Sequence, residues 1–159
     1  MEDIVLREWV PIGALVRVLM VVFSFIIIFI TIVLVGLGNL ITEDFCGLIV
    51  GWGVLAFVLF LFWNFRGLEI KISTYELLVR YGFFNKKSIR LNKISSCKVT
   101  KASFGRYGGI GVRYGFDGST AYSTSFGNAV EIVPIDGQTF VFSSNNPEKI
   151  CNVIRAKNR

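Results

Sequence analysis

The chain has 159 residues, 53% of them apolar, with 17 Lys and Arg against 11 Asp and Glu and no histidine. That length suits one domain plus a membrane anchor. The lack of histidine removes the commonest general base and the commonest metal ligand. Cys46, Cys97 and Cys151 are odd in number and far apart. They fit neither a disulfide framework nor a zinc site, so three unpaired thiols are expected, in keeping with the cytosolic bias against disulfides.

Charge and hydropathy are unevenly spread. Residues 1–65 carry a net charge of −3 and residues 66–159 a net of +9. A basic domain beside an apolar segment reads first as the positive-inside rule. Nucleic-acid binding would need a basic helix or an RNA-binding motif as well, and the sequence has neither.

Residues 1–17 are expected to form a cytoplasmic interfacial lead-in. Residues 18–65 read as a transmembrane helical hairpin, with spans at 18–38 and 45–65, each 21 residues without a charge. At 1.5 Å per residue such a span reaches about 31 Å, the thickness of a hydrocarbon core. The link from Asn39 to Asp44 holds two acids and no base, whereas Arg66, Lys71, Arg80, Lys86 and Lys87 follow the second span. Both termini are therefore expected in the cytoplasm, on a multi-pass cell-membrane protein. Gly36, Gly47 and Gly51 are candidate helix-packing positions, because small residues let backbones approach closely. They also leave a homo-oligomer open.

From residue 66 the period becomes that of short strands. Leu68–Ile72 and Leu77–Tyr81 alternate, and further strands are expected at Ser88–Leu91, Ser96–Lys101, Gly109–Tyr114, Thr120–Thr124, Ala129–Pro134 and Gln138–Ser143. Asp136-Gly137 is a hairpin turn, since both residues tolerate positive φ. The end reads as a helix: Asn145 or Asn146 caps it, Pro147 suits its first turn, and Ile150, Cys151, Val153 and Ile154 form an apolar stripe. The expected fold is α+β, a roughly seven-stranded, partly open β-barrel over 66–159 capped by a C-terminal helix. Residues 67–159 are expected to fold without the anchor.

The run Tyr81-Gly82-Phe83-Phe84-Asn85-Lys86-Lys87 through Ile94 resembles the prokaryotic PH-like domains of small membrane proteins. The resemblance extends to Gly108-Gly109-Ile110-Gly111, to Ala129-Val130-Glu131-Ile132, and to Asn146-Pro147-Glu148. The preceding two-helix hairpin is also similar to that family's layout. The resemblance covers roughly 67–157. It implies a PH-like fold, with no catalytic residues and no fixed ligand class.

Two surfaces are candidates for function. Residues 104–127 concentrate glycines and aromatics without matching a dinucleotide or phosphate loop. Within them Arg106, Tyr107, Arg113, Tyr114 and Phe116 form the candidate protein-binding surface, because Arg and aromatics anchor interfaces. Lys86, Lys87, Arg90, Lys93, Lys98 and Lys101 form a basic cluster suited to anionic headgroups. No residue set meets the requirements of an active site, so no catalytic residue, metal or cofactor is expected. The sequence reads as a non-enzymatic, membrane-anchored interaction module, an accessory or regulatory subunit of a larger membrane complex. An anionic-lipid sensor is the alternative, and a membrane enzyme a distant third.

Overall fold

The structure, a computed structural model, describes residues 4–36 and 45–157; the side chains at 34–36, 45–48 and 50 are not described. The Asn39–Asp44 link thus lies outside the described residues. The chain divides into two compact units, one of residues up to Gly13 together with those from Phe65 onward, the other Ala14–Asn64.

The helical unit comprises α1 (Ala14–Gly36) and α2 (Phe45–Asn64). Helix α1 starts before the expected span and takes in Arg17. Over Ala14–Val33 its mean hydropathy is 2.9, long and apolar enough to cross a membrane; the corresponding described stretch of α2, Gly51–Asn64, is shorter. Ser24 and Thr31 return their hydroxyls to the carbonyls of Met20 and Ile27, each at 2.9 Å, so neither leaves a donor unpaired in an apolar setting.

The other unit is built from two sheets. The first holds β1 (Ile4–Pro11), β2 (Gly67–Ser73), β3 (Glu76–Tyr81) and β4 (Asn85–Arg90), in chain order and antiparallel. The second holds β5 (Ile94–Ala102), β6 (Gly111–Tyr114), β7 (Thr120–Ser123), β8 (Gly127–Pro134) and β9 (Phe140–Ser143), in the order β5-β8-β9-β7-β6. Among the described strand pairs, β7–β9 alone is parallel. The barrel expected from the sequence is not closed. Two short helices complete the unit: α3 (Phe104–Tyr107) and α4 (Pro147–Lys157).

Strand β1 corrects the reading of residues 1–17 as an interfacial lead-in. It pairs with β2 from Ile4↔Ser73 to Pro11↔Gly67, and Ile12 N–H donates to Arg66 O at 2.9 Å. Val10 is buried and Leu6 packs against the core. Arg7 reaches Glu69 at 2.7 Å and Lys71 reaches the same carboxylate at 3.1 Å. Burial alone would raise the pKa of Glu69, but the hydrogen bonds from these two cations hold it below the usual carboxylate range. Gly67 is required here: a Cβ would stand 2.5 Å from the Trp9 ring and 2.9 Å from Val10 O.

Leu68, Ile70, Ile72, Leu77 and Val79 fill the core from the first sheet, and Val130, Ile132, Phe140 and Phe142 from the second. Tyr81, Tyr122 and Phe140 form a row between the sheets, Tyr81 and Tyr122 tilted with centroids 6.4 Å apart, Tyr122 and Phe140 edge-to-face at 5.0 Å. Burial pushes the Tyr81 phenol up to about 12. Helix α4 buries Ile150, Cys151 and Ile154 against this core, the stripe read from its sequence. Cys97 on β5 and Cys151 on α4 form a disulfide with Cα atoms 5.4 Å apart. This corrects the expectation of three unpaired thiols. The packing of α4 on β5 brings together two cysteines separated by 54 residues, and sequence spacing gave no sign of it.

Candidate binding surface

The glycine-rich segment resolves into a braced loop and an exposed tip. Helix α3 ends on Gly108 in the left-handed region at φ +67°, whose N–H donates to Phe104 O at 2.7 Å. That turn aims Arg106 back at two carboxylates: Asp117 in the β6–β7 turn and Glu131 on β8, both at 2.7 Å. The guanidinium also lies over the Tyr107 ring, 5.3 Å from its centroid. Tyr107 is only 4% exposed, and its hydroxyl shares a 3.2 Å hydrogen bond with Ser119 Oγ. Hydrogen bonds from Ser119 and Arg106 lower the Asp117 pKa to about 2.

Arg106 and Tyr107 were expected to be exposed contact residues. They are instead the brace, because a buried ring and a cation between two carboxylates fasten 104–107 to β8 and the turn. Arg113 is exposed, donating to Ile110 O. Tyr114 and Phe116 are 77% and 93% exposed. Of the five candidate residues, these three remain at the surface, at the free end of the β6–β7 hairpin. Asp117 and Glu131 share the Arg106 cation, and this shared ion pair fastens α3 to β8 and to the β6–β7 turn. Among the described residues no group of three His, Cys, Asp or Glu could hold a metal ion.

The basic cluster does not form one patch. All six side chains are exposed, but strand register separates them. Lys101 pairs with Asn128 near one end of β5, whereas Lys93 precedes Ile94 at the other. Nine residues of strand span roughly 25–30 Å. Lys98 lies opposite Glu131, and Lys86 opposite Arg80. Lys87, Arg90 and Lys93 line a cleft of about 410 Å³ with Ser88, Pro134, Asp136 and Gln138, where Lys93 lies 4.0 Å from Asp136.

The surroundings of Gly36 and Gly47 fall outside the described residues. Among the described residues, a Cβ at Gly51 would meet nothing within 4 Å.

Two packed sheets with a C-terminal helix fit the PH-like class expected from the sequence. The sequence model of the bacterial PH domain matches residues 10–112, more than half of the chain, and the protein belongs to that family. The match begins in β1, runs through both helices and ends in β6. No curated protein and no solved structure matches the chain.

Proposed function

We propose that this protein is a non-enzymatic, membrane-anchored binding module that engages another protein at the cytoplasmic face of the cell membrane, as an accessory or regulatory subunit. The pairing of β1 with β2 carries this reading. The two strands flank the helical unit in sequence, and the Ile12–Arg66 hydrogen bond holds its two ends together. Strands of one sheet lie on one side of a bilayer, so the intervening chain crosses an even number of times. If α1 spans, α2 returns as the second arm of a hairpin. The cations that follow α2 support a cytoplasmic side for the sheets. A disulfide is uncommon there, but both its cysteines are 4% exposed or less, which shields the bond from attacking thiols.

Protein binding is favoured over the anionic-lipid alternative by the position of the hairpin tip. Gly111↔Ser123 marks the end of β6–β7 nearest the helix junction, where Gly13 N–H donates to Thr124 O at 2.8 Å. Tyr114 and Phe116 lie at the other end, facing away from the chain's exit points. The register spreads the six basic residues from β4 through β5, which weighs against a lipid sensor that uses them as one cluster.

Topology is tested by single cysteines in a Cys46→Ala background, with the buried pair left in place. Thr42→Cys should react with an impermeant maleimide in intact cells, and Asp117→Cys only after lysis. Labelling of both in intact cells would contradict the assignment. A photo-crosslinker at position 116 should give a discrete adduct in membranes that Tyr114→Ala abolishes; adducts to lipid alone would favour the sensor.

A further inference from the structure

Four exposed phenylalanines lie on the rim where the chain leaves the sheets for the helices. Gly67, just after Phe65 and Arg66, pairs with Pro11, and the next pair inward is Leu68 with Tyr81. The β3–β4 turn that follows Tyr81 therefore belongs to this rim. It carries Phe83 and Phe84, 55% and 75% exposed. Gly13, the last residue before α1, donates to Thr124 O, which places the β7–β8 loop there too. That loop carries Phe126, and Phe104 meets it edge-to-face at 6.0 Å. These two rings are 50% and 66% exposed. Lys86 and Lys101 flank the two loops and are exposed as well. Glu8, a carboxylate of the same rim, is engaged by Ser144 and by Asn145 N–H.

Exposed apolar residues scattered singly need no explanation. Four exposed aromatic rings on one rim, two from the β3–β4 turn, one from the β7–β8 loop and one from α3, where the chain leads into an apolar helix, are of the kind that marks an interaction site. The chain itself names the occupant, because Gly13 and Phe65 lead directly into the helical unit. Aromatic rings favour the membrane–water interface, and flanking lysines gain from anionic headgroups.

We propose that this rim is a lipid-contacting surface, with Phe83, Phe84, Phe104 and Phe126 seated at the headgroup–acyl boundary and Lys86 and Lys101 on anionic headgroups. The inference rests on the membrane-anchored reading and adds to it a fixed orientation: the rim faces the bilayer, while the Phe116 tip and the Lys87–Arg90–Lys93 cleft face the cytosol.

The test uses the full chain in proteoliposomes containing anionic lipid, with Cys46→Ala and one nitroxide at a time on Phe29→Cys, Phe84→Cys, Phe126→Cys or Phe116→Cys. Collisions with dissolved oxygen and with a water-soluble nickel chelate are compared by electron paramagnetic resonance. The oxygen-to-nickel ratio should be several-fold higher at 84 and 126 than at 116, with 29 higher still. A ratio at either 84 or 126 equal to that at 116, with 29 in lipid, would overturn the rim proposal alone. A water-like ratio at 29 would overturn the membrane reading and the rim with it.

Discussion

Strands β1 and β6 are both edge strands, and they are held in opposite ways. Strand β1 runs eight residues and lays Leu6 and Val10 on the core. It also sends Glu8 across to Ser144 and Asn145, with the Asn145 N–H at 2.6 Å. Strand β6 runs four residues, both Arg113 and Tyr114 on it are exposed, and the Arg106 clamp secures its turn. One edge completes a core whose other strands follow the helices in sequence. The other presents side chains the core does not use. Surplus exposure is thus informative at β6, and surplus order is informative at β1.

The largest contrast is expected from placing a carboxylate on each edge. Val10→Asp should cost about 3 kcal/mol or more by burying an unpaired charge, whereas Phe116→Asp should stay within about 0.5 kcal/mol. Urea or thermal unfolding of the detergent-solubilised chain measures both; equal losses would erase the distinction. Gly67→Ala should cost about 1–3 kcal/mol, because the Trp9 ring and the Val10 carbonyl must both shift. The intrinsic fluorescence of Trp9 should change with it.

Arg106→Ala should cost about 1–3 kcal/mol by leaving the partly buried Glu131 without its cation. It should speed amide exchange in 111–120 while leaving β1 and β2 protected. The smallest effect is that of Asp117. Its folded pKa, about 2, lies below an unfolded value of about 3.9. Its contribution is therefore complete above about pH 4 and lost as pH falls through about 2. Carboxyl-carbon NMR should show Asp117 titrating near 2, and the shift should vanish in Arg106→Ala/Ser119→Ala.

Much of the sheet unit was legible before the structure. Leu68–Ile72 and Leu77–Tyr81 alternate because one face of each is buried, and the α4 stripe was readable because 3.6-residue spacing leaves only one apolar face. Strand β1 was not legible. Its pattern of Leu6, Glu8 and Val10 breaks on a carboxylate whose partners, Ser144 and Asn145, lie 136 and 137 residues away, and position before an apolar helix suggested a surface segment. Tyr107 misled for a similar reason. An aromatic in a glycine-rich run reads as exposed, yet Ala102, Ala121, Ala129 and Val141 make the small apolar pocket that takes its ring. The Cys97–Cys151 bond depends on how α4 packs, which periodicity does not encode; an intact mass lighter by two hydrogens than the reduced chain is expected.

The most direct test replaces the helical unit with a turn. A chain in which residues 14–64 give way to a short Gly-Asn linker should fold, since the Ile12–Arg66 hydrogen bond already closes that gap. Its amides at Leu68, Ile70 and Ile72 should resist exchange, and a chain beginning at Phe65 should lose that protection. Equal protection at these three amides in both chains would contradict the claim that the domain is stitched together across the inserted helical unit.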